Sequence, residues 1–252
     1  MELSLNAGGL IAFLLAFARA VAWLMVVPPF SNRRIIPPIV TMCTASGLAL
    51  LVGPTIPRDT LPTTTPALIG SLVASVVTGL ALGFFISLLL SAVMSAGSML
   101  DLAGGLTLPP SIDPLSLEQT PLMGQFYEQV GVLLLFVSGG YLVMVAGFIH
   151  SFQVPPFSLE TTARLTSVLI IDLEVYFVSA VEIAAPIMVV LFAAQVVLAL
   201  LAKSAPQVNV WLLGFPLQIF LVLVLVAVGI SVLPDYVTRL LTRAVADGLS
   251  VL

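Results

Sequence analysis

The sequence predicts an all-α integral membrane protein of about six hydrophobic helices or inclined helical hairpins, some of them kinked. Three observations carry that expectation. Of 252 residues, 60% are apolar and 8% charged, whereas a soluble domain carries roughly 25% charged residues. The uncharged runs are long, at 3–18 with 20–32, 35–57, 60–100, 129–159, 183–202 and 204–234, and one helical span takes roughly 20 apolar residues. No alternation of period two marks a barrel, so helices satisfy the backbone hydrogen bonds in lipid. A mean hydropathy of +1.21 agrees. The chain reads as a single domain over residues 1–252.

The charge balance excludes other classes. With 8 Lys+Arg against 12 Asp+Glu, the net charge is −4, and no basic stripe exists to meet nucleic acid phosphates. High hydrophobicity and sparse charge also exclude a disordered chain.

The first segment opens with Glu2 and its apolar run continues past Arg19. It therefore reads as a retained membrane segment rather than a cleaved signal. The single cysteine, Cys43, has no intrachain disulfide partner and is expected as a small core residue. Breakers separate the hydrophobic segments: Pro28-Pro29, Pro37-Pro38, Pro54 to Pro66, Pro109 to Pro121, Pro155-Pro156 and Pro206. Six spans would put Arg58, Arg164, Arg239 and Arg243 on one side and Arg33, Arg34 and Lys203 on the other. That is no positive-inside bias. Either the span count differs or the helices do not stand as ordinary upright spans.

The third segment is the most informative. Thr65-Pro66 is a good helix start, and no proline follows until Pro109. A helix from Pro66 to Met99 would be roughly 51 Å long, against a hydrocarbon core of roughly 30 Å. It must tilt, bend near Gly79 and Gly83, or leave the bilayer. Small residues recur there at every fourth position: Ser71, Ser75, Gly79, Gly83, Ser87 and Ser91, extended by Ala67 and Ser95. This spacing lets helix backbones approach closely. The stripe winds slowly around the helix, which implies several packing partners rather than one.

Later segments are interrupted. Gly139-Gly140 lies within one, and Gly214-Phe215-Pro216 within another. Pro216 cannot donate to the carbonyl of Leu212, so a kink or break is expected there. Between Gly104 and Pro121 the chain reads GGLTLPPSIDPLSLEQTP. The segment holds Gly104, Gly105, Leu106, Pro109, Pro110, Ile112, Asp113 and Pro114; its Leu, Ile and Pro content is too apolar for a free surface loop, so it is expected to pack against something.

Little chemistry is available. One histidine, His150, and one cysteine make a transition-metal site improbable on composition. No phosphate-binding loop precedes Lys203 and no nucleophile elbow occurs, so neither a catalytic site nor a cofactor is expected. Arg19, Asp101, Asp172, Glu174, Glu182 and Lys203 lie in apolar surroundings and are functional candidates by default. An ion-coupled small-solute transporter using the acids at 172, 174 and 182 is the rival from another class. If residues 167–203 form one helix, those acids lie in its first half and Lys203 closes it, as the helix dipole prefers. The pentapeptide VPPFS recurs at 27–31 and 154–158. The likeness does not extend, which weakens a repeat-built transporter.

Several short stretches, in order, carry a family likeness. They are Arg19 with PPFSNRRIIPP (28–38), GLALGF (79–84), AGSMLDLAGGL (96–106), Asp113-Pro114, and SAPQVNVWLLGFP (204–216). The chain resembles the FliR family of flagellar biosynthetic proteins and its injectisome counterparts, inner-membrane export-gate subunits of type III secretion. Gly139-Gly140-Tyr141 stands where many relatives have Asn-Gly-His, so no role needing that histidine transfers. The resemblance implies a non-enzymatic subunit that packs with FliP- and FliQ-type subunits around a channel for unfolded export substrates. FlhB- and FlhA-type proteins are further implied partners. It also implies inclined hairpins, contact with membrane lipid, a location in the flagellar basal body, and a plug formed by the loop from Gly104 to Pro121.

Overall fold

The computed structural model of the protein describes residues 7–28, 30–31, 36–56, 61–106, 121–152, 159–205 and 210–251. Among these residues the regular structure is helical throughout. The helices are α1 (Ala7–Val26), α2 (Pro38–Val52), α3 (Thr65–Ala103), α4 (Leu122–Val137), α5 (Gly140–His150), α6 (Leu159–Ser204), α7 (Val210–Gly229) and α8 (Leu233–Val251). A short 3-10 helix, Gly53–Thr55, follows α2. Four helices are long and apolar enough to cross a membrane, and six spans result if each of two bent pairs counts as one. The protein is an all-α, multi-pass membrane protein.

Two helices exceed any simple span. The 39 residues of α3 extend roughly 58 Å, and the 46 of α6 roughly 69 Å, at 1.5 Å per residue. The α3 start at Thr65 agrees with the Thr65-Pro66 signal, and the helix continues four residues past Met99 to Ala103. In α6, Lys203 occupies the last turn, where the carbonyl end of the dipole favours a cation.

The glycine pair at 139–140 is a corner. Gly139 has φ 74°, in the left-handed region, and the helix breaks there between α4 and α5. At Gly214-Phe215-Pro216, where a kink or break is expected, the chain makes no break. Helix α7 runs through Pro216, and the bend of 63° comes after Gly229, before α8. A membrane helix tolerates an internal proline where neighbouring groups satisfy the freed carbonyl.

Residues 1–89, 139–173 and 241–252 form one compact unit, and residues 90–138 and 174–240 form a second. In the first, α1 crosses α3 at backbone contact. A side chain at Gly79 would run into the carbonyl oxygen of Arg19, and one at Gly83 would come within 2.9 Å of the Trp23 carbonyl. Trp23 stacks on Phe148 at 4.8 Å between centroids, and Phe148 meets Phe152 edge-on at 5.3 Å. Helix α2 buries Thr41, Ala45, Ala49 and Val52. Cys43 is exposed, which corrects the expected core placement: two residues from Thr41 is 200° around the helix, on the opposite face.

The second unit is assembled on the C-terminal part of α3. Leu100, Leu135, Leu191 and Val222 are buried at its centre. Gly131 faces Val93, and Gly229 faces Ile187. Glycine again marks where helices meet.

Candidate functional site

The second unit holds a convergence of four helices at the C-terminus of α3. This helix ends in a Schellman motif. The Leu106 N–H donates to the Asp101 carbonyl at 2.9 Å, the Gly105 N–H to the Leu102 carbonyl at 3.3 Å, and Gly105 adopts φ 65°. The terminal carbonyl of Ala103 accepts from Gln195 Nε2 on α6 at 2.6 Å. On the α7 side, a Cβ at Gly104 would approach Val222 Cγ2 to 2.5 Å, and one at Gly105 would lie 3.2 Å from Gln218 Oε1.

The start of α4 meets the same place. Its N-cap is Pro121, which offers no side-chain acceptor, so the first-turn N–H groups need another partner. Asp101 supplies it. Its two carboxylate oxygens accept from the Met123 N–H and the Gly124 N–H, each at 3.0 Å. Asp101 is fully buried, and a carboxylate at a helix N-terminus also meets the positive end of the dipole. Gly97 permits the approach, since a side chain there would meet the Met123 carbonyl oxygen. Gly124 permits it from the other helix, where a Cβ would lie 2.6 Å from Ser98 Oγ. Hence one residue closes the end of α3 through its carbonyl and opens α4 through its side chain.

Of the loop residues singled out from sequence, Gly104, Gly105 and Leu106 belong to this junction. Pro109, Pro110, Ile112, Asp113 and Pro114 lie outside the described residues, as do Arg33, Arg34, Arg58, Pro206 and the second VPPFS.

The small-residue stripe serves different neighbours along α3. Gly79 and Gly83 face α1, and Ser75 is buried. The Ser71 hydroxyl donates back to the Ala67 carbonyl at 2.9 Å. Ser87 and Ser91 are half-buried. Further on, Ser95 hydrogen-bonds the Tyr176 hydroxyl.

The other ionisable candidates separate. In the first unit Arg19 is 7% exposed, donates from NH1 to the Ser151 carbonyl at 2.7 Å, and stacks over the Phe152 ring at 4.0 Å. Asp172 is buried, with Asp247 and Arg243 as its charged neighbours. Glu174, Glu182, Lys203 and His150 are exposed. Among the described residues no three His, Cys, Asp or Glu side chains gather as a metal site. Ser151, Gln195 and Gln218 carried no local sequence signal, because each acts on a distant element.

The profile of a family described as bacterial export proteins, family 1, matches residues 10–244. The chain belongs to this family. Among its relatives is the flagellar biosynthetic protein FliR of Bacillus subtilis (strain 168), 28% identical over 229 residues, which are 88% of this chain and 87% of that protein. FliR of Escherichia coli (strain K12) is 24% identical, covering 81% of this chain and 76% of its own length. The surface presentation of antigens protein SpaR of Salmonella typhimurium is 30% identical over 59% of this chain and 56% of its own. Arg19 and the whole Asp101 junction fall inside the span matched to the bacterial export family.

Proposed function

We propose that the protein is a non-enzymatic subunit of a type III protein-export gate in the bacterial inner membrane, forming part of the channel that passes unfolded substrates during flagellum assembly. The observation that carries this reading is the family match over residues 10–244 together with a flagellar relative aligned over 88% of the chain. The flagellar assignment rests on that coverage, since the injectisome relative SpaR aligns over 59%. Physical features support it. Helices far longer than a bilayer is thick suit inclined hairpins better than upright spans. Large apolar side chains stand outward on several helices, among them Leu102, Val137, Phe192 and Val228, ready for lipid or for FliP- and FliQ-type partners.

Within this reading the segment from Gly104 to Pro121 is the plug, as the family resemblance implies. The test is a photo-crosslinking residue at position 113 in a host whose export is stalled by a tagged substrate. A crosslink to the substrate is expected. Crosslinks to neighbouring subunits alone, under stalled export, would reduce the protein to a scaffold that does not line the channel.

A further inference from the structure

We infer that Asp101 is a positioning residue for export: by tying the end of α3 to the start of α4, it fixes the two roots of the intervening segment at one point. The inference rests on the plug reading above and goes beyond it, because it names what holds the plug's position.

The geometry is specific. A helix C-terminus needs nothing from the next helix, and an N-terminus is ordinarily capped by the residue just before it. Here the preceding residue is Pro121, and the cap comes from 22 and 23 positions upstream. The same residue's carbonyl receives Leu106, the last described position before the segment. Both roots therefore meet at one buried residue, the α3 root on its backbone carbonyl and the α4 root on its side chain. Gly97 and Gly124 remove the bulk that would keep the helices apart. Asparagine at 101 fits the same space but offers one acceptor oxygen and turns an NH2 toward the other amide. The tie then loses its charge and one of its two bonds, which raises the detached population by about tenfold or more.

The experiment uses the full chain with the other components of the export apparatus, in the wild type, D101N, a deletion of residues 107–117, and the two combined. Each is scored for the amount of chain in the membrane complex and for small-ion leakage per complex. The expected result is that each single change raises leakage per complex at an undiminished amount of complex. The combination leaks no more than the deletion alone, because with the segment gone there is no plug left for Asp101 to hold in place. A tight D101N beside a leaking deletion overturns the role of Asp101 and leaves the plug standing. Additive leakage overturns it too, since Asp101 would then act elsewhere. A tight deletion removes the plug reading and this inference with it. If D101N does not reach the complex, hydrogen exchange on the wild-type complex decides. Amides of Met123 and Gly124 protected like the interior of α3 support the tie, and exchange at the rate of uncapped first-turn amides overturns it.

Discussion

The guanidinium of Arg19 donates to the carbonyl oxygen of Ser151 at 2.7 Å, 132 residues further along the chain. The bond joins the middle of α1 to the residue that ends α5, and the Phe152 ring covers the cation from one face. A buried cation held by a carbonyl and a ring is a packing device: it satisfies a free helix-end carbonyl and anchors the Trp23–Phe148 stack beside it.

Arg19→Lys keeps the charge but loses the planar fork and the ring contact. The expected cost is about 1.5–3 kcal/mol, the range for a hydrogen bond to a charged group. Thermal unfolding of the detergent-extracted protein, followed by tryptophan fluorescence, measures it. An unchanged midpoint would show that the contact contributes nothing.

Glycine substitution along α3 provides a comparison with its own control. Gly79→Ala drives a methyl into the Arg19 carbonyl, and Gly83→Ala approaches that of Trp23, with a cost of about 1–3 kcal/mol each from overpacking. At Gly70 nothing lies within 4 Å, so Gly70→Ala is expected to be neutral or slightly stabilising. Equal effects at positions 70 and 79 would contradict the close α1–α3 crossing.

Gly139→Ala places a methyl-bearing residue at φ 74°. The expected destabilisation is about 1–2 kcal/mol, the cost of the left-handed region for an L-residue. Thermal melting of the extracted protein checks it, with loss of less than the wild-type scatter as the contrary result.

Cys43 is exposed on α2 beside Met42. In the detergent-isolated chain it is expected to react with a thiol reagent without denaturant. Protection in the intact export complex would map a partner onto this face. A thiol inert in the isolated chain would restore the buried placement.

These contrasts also show what the sequence could reveal. The start of α3 and the corner at Gly139 were legible because Thr-Pro and paired glycines act on the local backbone. A helix over residues 167–203 lies inside α6, which begins earlier, at Leu159, because Glu160 and Arg164 break the uncharged run without breaking the helix. Asp172, Glu174 and Glu182 interrupt such a run without interrupting the helix. Cys43 was misplaced because α2 buries one narrow face, Thr41, Ala45, Ala49 and Val52, and an apolar chain gives little periodic contrast to reveal it. Asp101 stood out as an acid in apolar surroundings, but its partners, Met123 and Gly124, are fixed by tertiary folding and left no local trace. Pro216 signalled a kink or break, and α7 runs through it without a break.

The most direct measurement is affinity purification of the tagged chain from native membranes under mild detergent, with mass spectrometry of the recovered assembly. The expected result is one stable complex containing FliP- and FliQ-type subunits, with little free chain. Recovery of a stable lone monomer, folded and without those partners, would contradict an export-gate subunit.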